Sequence, residues 1–166
     1  EYTGNVEPAD NRLFSKLFFV QAYGYLPGIL RNQALKWTAS VQQYTGVNTF
    51  FYPGTFQQPP RGIETKTYAP TSISVSGDYA IPIGIGDPSV PDILYIKRLQ
   101  LIPFADYLQT KHPNKQKEHF WSCGADLLFD FHIFRIGLPL TAGIRYAFTC
   151  EKQHHVEFLF SFPAFN

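Results

Sequence analysis

Trp121-Ser122-Cys123-Gly124-Ala125-Asp126-Leu127-Leu128-Phe129-Asp130-Phe131-His132-Ile133 alternates with a period of two. Its odd positions are apolar throughout, and its even positions carry Ser122, Asp126, Asp130 and His132. Successive side chains of an extended chain point to opposite faces, so the stretch reads as one long strand with an apolar face and a polar face. The alternation continues on both sides. Downstream, Leu140, Ala142, Ile144, Tyr146 and Phe148 oppose Thr141, Gly143, Arg145 and Thr149, and Val156, Phe158, Phe160 and Phe162 oppose His155, Glu157 and Ser161. Upstream, Leu35, Trp37, Ala39 and Val41 oppose Lys36, Thr38, Ser40 and Gln42. Ser72, Ser74, Ser76 and Asp78 oppose Ile73, Val75, Tyr79 and Ile81, while Arg98, Gln100 and Asp106 oppose Leu99, Leu101, Ala105 and Tyr107. Leu13 to Tyr25 is strand-like without clear faces. About seven strands and no helix are expected, an all-β antiparallel fold.

The composition narrows the class. Of 166 residues, 45% are hydrophobic, 17% aromatic and only 16% charged, which excludes a disordered chain and a coiled coil, both rich in charge. A net charge of +1 offers no basic surface for nucleic acid. No apolar run approaches the roughly 18 residues of a spanning helix. The mean hydropathy of -0.14 resembles that of a soluble protein, but it averages a nearly uniform aromatic and aliphatic face against a polar one. Strands of a soluble sandwich usually run about 5 to 6 residues. Several here are longer, and their polar face carries Asp, Arg, Glu and His. Transmembrane barrel strands need about 9 to 11 residues, apolar toward lipid and polar toward the lumen, so an antiparallel transmembrane β-barrel is the expected architecture.

Connections alternate in length. They are short near Pro27 to Gln33, long from Thr45 to Pro70, short near Gly84 to Asp92, long and lysine-rich from Gln109 to His119, and very short at Ile136-Gly137. Outer-membrane barrels pair short periplasmic turns with long extracellular loops, so residues 45–70 read as an extracellular loop. Seven strands cannot close a membrane barrel, because an open edge in lipid leaves backbone groups unpaired. Residues 1–166 are therefore expected to form the C-terminal part of a larger barrel. Its remaining strands would come from the upstream chain, and outer-membrane lipid would be its surrounding partner.

A family resemblance appears in the long loop. Gln58-Pro59-Pro60-Arg61-Gly62-Ile63 resembles the Arg-Gly loop motif of the BamA-like superfamily of outer-membrane assembly and secretion barrels. Asp78-Tyr79-Ala80-Ile81-Pro82-Ile83 looks like its acidic-aromatic-x-x-Pro-Leu strand, and Phe104-Ala105-Asp106-Tyr107-Leu108 resembles its Phe-x-Asp-x-Gly strand. The motifs occur in the family's order over roughly residues 34 to 162. Ile63 stands in place of an aromatic residue, Leu108 in place of glycine, and four residues follow Phe162. The resemblance implies a barrel of sixteen strands in a Gram-negative outer membrane, a surface-antigen type of protein acting in insertion or transport of other proteins. It also implies that the loop folds into the lumen and that Arg61 meets acidic residues of the inner wall. Parity places Asp78 and Asp106 on the polar face, and a guanidinium suits bidentate pairing with carboxylates.

A two-residue turn at Ile136-Gly137 would pair positions summing to 273. Arg145 would then lie diagonal to Asp126 and Asp130, forming a lumenal cluster. Cys123 would face Cys150 on the outer side, where the two would form either a cross-strand disulfide or a pair of small apolar thiols. Enzyme chemistry is not expected. His154-His155 lack a third metal ligand, and Ser122, Asp126 and His132 share a face without any sign of an oxyanion site. Gly84-Ile85-Gly86 lacks the context of a phosphate loop. No cofactor and no metal are expected. Two further readings stand beside assembly or transport. One is a barrel serving as anchor or scaffold in an outer-membrane complex with other outer-membrane or periplasmic proteins, and the other is a soluble all-β binding domain.

Overall fold

The computed structural model describes residues 2–4, 14–45, 59–63, 69–84, 89–90, 94–112, 116–133 and 140–161. They form one antiparallel sheet, with no helix among the described residues. Seven long strands carry it: β2 (Phe14–Pro27), β3 (Ala34–Thr45), β4 (Thr71–Gly84), β6 (Leu94–Lys111), β7 (Lys117–Ile133), β8 (Leu140–Thr149) and β9 (His154–Ser161). Two short strands, β1 (Tyr2–Gly4) and β5 (Ser89–Val90), pair with β2 and β6. Strands otherwise follow chain order across the sheet, an up-and-down meander. Among the described residues no pairing joins β9 to β1 or β2, so the sheet has two edges.

The strands are long because the alternation is unbroken and turn-forming residues stay at their ends. The β2–β3 connection closes with Gly28 N donating to Gln33 O and with Asn32 at a φ of 67°. That left-handed conformation is one asparagine tolerates better than most residues. Proline marks the irregularities of the ladder. Pairing between β4 and β6 skips Tyr79–Ala80 opposite Ile102–Pro103, where Pro103 has no N–H to donate, and shifts register between Pro82 and Gly84.

Two expectations change. The lysine-rich connection from Gln109 to His119 is mostly strand. Thr110 pairs with Glu118 and Lys111 with Lys117, because the inward series Leu108, Thr110 continues the alternation and both side chains are buried. The β7–β8 register sums to 271 and not 273, so Asp126 faces Arg145 directly and Cys123 faces Phe148. The residues at Ile136-Gly137 lie outside the described set. Pairing along the strands centres the hairpin one residue earlier than a two-residue turn at that dipeptide would.

The sheet is inside out relative to a soluble domain. One face holds Ser40, Gln42, Ser72, Ser74, Asp106, Thr110, Ser122, Asp126 and Thr149, all buried. The other presents Trp37, Ile73, Val75, Trp121, Ile144, Tyr146 and Phe158, all exposed, with Phe158 at 86%. Single exposed apolar residues are ordinary, but a continuous apolar face opposite a buried polar one is not.

Candidate functional site

The polar face is covered at its centre by the returning loop. Pro60, Arg61, Gly62 and Ile63 make a tight turn in which Ile63 N donates to Pro60 O at 3.1 Å. Gly62 occupies the third position with a φ of 79°, as a type II turn requires. Space is tight there as well. A Cβ there would sit 3.1 Å from Ala147 Cβ and 3.3 Å from His155 Cδ2, so the turn lies directly on β8 and β9.

This turn aims Arg61 at the wall. Its backbone N–H donates to Asp106 Oδ2 at 3.0 Å, Nε donates to the same oxygen at 2.8 Å, and NH2 donates to Asp106 Oδ1 at 2.8 Å. NH2 also donates to Asp78 Oδ1, and NH1 stands 3.8 Å from Asp126 Oδ2. One guanidinium thus joins a carboxylate on β4 to carboxylates on β6 and β7. Its flat face rests on the Phe104 ring, 3.7 Å from the centroid, a cation–π contact. Phe104 finds room because Gly124 faces it across the strand pair. A Cβ on Gly124 would fall 2.9 Å from Phe104 Cζ.

Burial alone would lower the basicity of Arg61. Its hydrogen bonds to Asp106 and Asp78, and the charges of both, outweigh that effect and hold the guanidinium above its ordinary pKa. The loop cation is therefore permanent. Beside the turn, a cleft of ≈ 320 Å³ opens toward Gln21, Lys36 and Thr38.

A second arginine extends the network. Arg145 clamps Asp126 with two parallel bonds of 2.8 Å from Nε and NH2, and its NH1 lies 3.4 Å from Glu157 on β9. Direct opposition of Asp126 and Arg145 across β7 and β8 makes this fork possible. A third pair stands apart. Arg98 donates from Nε and NH2 to Asp130 Oδ2 at 2.9 and 2.7 Å, and Thr141 donates to Asp130 Oδ1 at 2.8 Å. Asp130 thus belongs to Arg98, and Arg145 to Asp126.

The structure brings Arg61, Asp78 and Asp106 together and joins Asp126 and Arg145 to them. It leaves Asp130 outside this group. Cys123 and Cys150 are free thiols, and the shift in register removes the geometry on which their pairing rested. Residues 46–58 and 64–68 of loop 45–70 lie outside the described set. Sequence reasoning quoted Phe104 as part of a motif without giving it a role, and it missed the close approach of the Gly62 turn to Ala147 and His155. An aromatic residue at the parity of Asp106 was the available signal for Phe104.

Chemically the arrangement is a latch. Asp126 is held by Arg145, and His132 stacks near Tyr95 at 6.1 Å, so Ser122, Asp126 and His132 do not converge. His154 turns outward and accepts or donates a bond of 2.6 Å with Tyr146 Oη, while His155 lies under Gly62. Among the described residues no group of three or more metal-ligating side chains comes together. No known protein family, curated protein or solved structure matches the chain.

Proposed function

We propose that this chain is the C-terminal part of an outer-membrane β-barrel of the BamA-like kind, acting in insertion or transport of proteins at the outer membrane. The observation that carries the reading is the inverted sheet, whose buried polar face holds the loop arginine Arg61 against Asp106 and Asp78. Lipid would take the apolar face. On β7 that face runs from Trp121 to Phe131, roughly 34 Å of strand. At a tilt of about 45° it would span about 24 Å, close to the height of a barrel's apolar band. Both free edges would close on further strands of the same polypeptide, because unpaired edges are not tolerated in lipid. The loop latch would sit in the lumen, where it fixes residues 59–63 between the wall and the outside.

The test uses the full-length protein that contains this chain. Under this reading it fractionates with outer membranes, resists carbonate extraction and shows heat-dependent mobility on a gel. Recovery in the soluble fraction without detergent would favour a soluble binding domain and sink the proposal. Depletion then tests activity. Loss of other outer-membrane barrels from the membrane supports insertion or transport, and their normal assembly leaves a structural anchor.

A further inference from the structure

The outer face carries a feature at one end of the sheet that burial in hydrocarbon does not explain. Lys111 and Lys117 stand directly opposite one another at the tip of the β6–β7 pair, both exposed. They share the parity of Tyr107 and Trp121, so both ammonium groups belong to the apolar side. Among the described residues neither has a carboxylate partner, and the adjacent Glu118 turns to the other face, toward His112 at 3.3 Å. Like charges directly opposite each other in an antiparallel pair are destabilising. An anion held between the two would reverse the sign of that interaction.

Below the lysines the same face changes character in steps. Gln109 faces His119, and Tyr107 faces Trp121. Tyr107 Oη bonds His119 Nδ1 at 2.7 Å, and one hairpin along, Tyr146 Oη bonds His154 Nδ1 at 2.6 Å. Trp121 packs on Phe148, with centroids 5.9 Å apart, and Phe148 on His154 at 5.1 Å. These rings form a belt with apolar bodies and polar tips, the composition of a membrane–water boundary. The lysine pair lies two residues beyond His119, about 7 Å along the strands. That distance matches the depth of one headgroup layer, roughly 5 to 7 Å.

We infer that Lys111 and Lys117, above the Tyr107–His119 and Trp121 belt, form a docking site for a phosphate monoester on an outer-leaflet saccharolipid of the lipid A type. Charge complementarity selects the monoester. Two ammonium groups match its charge of about −1.5 to −2 at neutral pH, whereas a phosphodiester headgroup carries only one. The acyl chains of such a lipid would lie against Trp121 and Tyr107. Connections at this end include the 45–70 loop, which the proposed topology puts outside, so the leaflet concerned is the outer one. The inference rests on the membrane reading given above.

The test titrates the full-length protein, in neutral detergent micelles, with diphosphoryl lipid A or with phosphatidylglycerol at equal phosphate. Lipid A is expected to bind more tightly than phosphatidylglycerol. Lys111→Gln with Lys117→Gln should weaken it about 30-fold, from the usual contribution of each lysine near an anionic surface. Arg31→Gln, in the β2–β3 turn at the opposite end, should change nothing. Lipid A binding that survives the double substitution, or phosphatidylglycerol binding of equal strength, overturns the site while leaving the barrel intact. A protein that stays monodisperse without detergent and does not float with phosphatidylcholine vesicles would remove the membrane reading itself, and the site with it.

Discussion

The guanidinium groups of Arg61 and Arg98 each donate two bonds to one aspartate on the polar face, yet their surroundings differ in every respect that sets energy. Arg61 arrives from a loop, touches three carboxylates, lies on Phe104 and has 19% of its side chain exposed. Arg98 arises from β6 itself, meets Asp130 across the strand pair and has 49% exposed. Desolvated charges without partners are costly, so Arg61 and its carboxylates need one another, whereas solvent can replace either partner of the Arg98 pair. Bond lengths are nearly the same, 2.8 Å at Asp106 against 2.9 and 2.7 Å at Asp130, although Arg61 forks onto both carboxylate oxygens and Arg98 aims both donors at one. What differs is what would remain behind if one partner were lost, and only at Arg61 does that remainder include a buried cluster of aspartates and an undocked loop.

The largest effect should therefore follow Arg61→Ala. It leaves Asp106 and Asp78 facing each other's charge with no cation between them, at a cost of about 3 to 5 kcal/mol for the docked state. The sheet does not depend on this loop for its ladder, so strand content by circular dichroism should stay near the wild-type value. Proteolytic cleavage within residues 45–70 should rise by two orders of magnitude or more. Unchanged loop protection would show that the latch is decorative. Arg61→Lys sharpens the same contrast through pH. A cation whose folded pKa is raised gives stability that is present below its unfolded pKa and lost as pH rises through the folded one. Arg61 is held above an already high value, so raising the pH from neutrality to about 11 should not release the loop. Lysine begins from about 10.4 and cannot reproduce the fork, so the variant should dock more weakly at neutral pH and lose protection in the alkaline range.

Gly62 tests the backbone side of the latch. Gly62→Val places a β-branched residue at a φ of 79° and its Cβ against Ala147 and His155. The conformation costs roughly 1 to 2 kcal/mol before any clash is counted. Loop cleavage should rise about tenfold, less than for Arg61→Ala, because the charges can still meet once the turn has shifted. Equal protection in the variant would place the latch entirely in the side chain.

Faces were legible in the sequence, and partners were not, for one physical reason. A strand's side chains repeat every two residues, so a hairpin read two positions out of register keeps every residue on its correct face and changes every residue opposite it. Asp126 and Arg145 stayed on the polar side under either register, and only their relation changed, from diagonal to direct. Cys123 stayed on the apolar side, but its neighbour became Phe148. The extent of β6 and β7 was hidden by lysines, since Lys111 and Lys117 look like loop residues in a chain otherwise poor in charge. Pairing continues beneath them because Leu108 and Thr110 still point inward. The docking of Arg61 could be posed from Asp78 and Asp106 sharing one parity. Its seat on Phe104 could not, because that contact depends on Gly124 leaving space on the next strand.

The smallest effect belongs to Arg98. Its pair with Asp130 is half-exposed, and Thr141 supplies Asp130 with a second donor that survives the loss of the arginine. Exposed pairs contribute about 0 to 1 kcal/mol, and the side-chain order needed to hold Arg98 offsets part of that. Arg98→Ala should leave loop cleavage unchanged and shift the unfolding midpoint by no more than a few degrees. The pairing of β6 with β7 changes register between Ile96 and Arg98, so the arginine also sits at a bulge, and bulges re-aim side chains without adding to the ladder. A loss of protection at residues 59–63 in Arg98→Ala would mean that the two arginine sites communicate along β7 through Asp126 and Asp130. The two arginine sites would then be one network along the wall, and the docking of the loop would depend on a pair it does not touch.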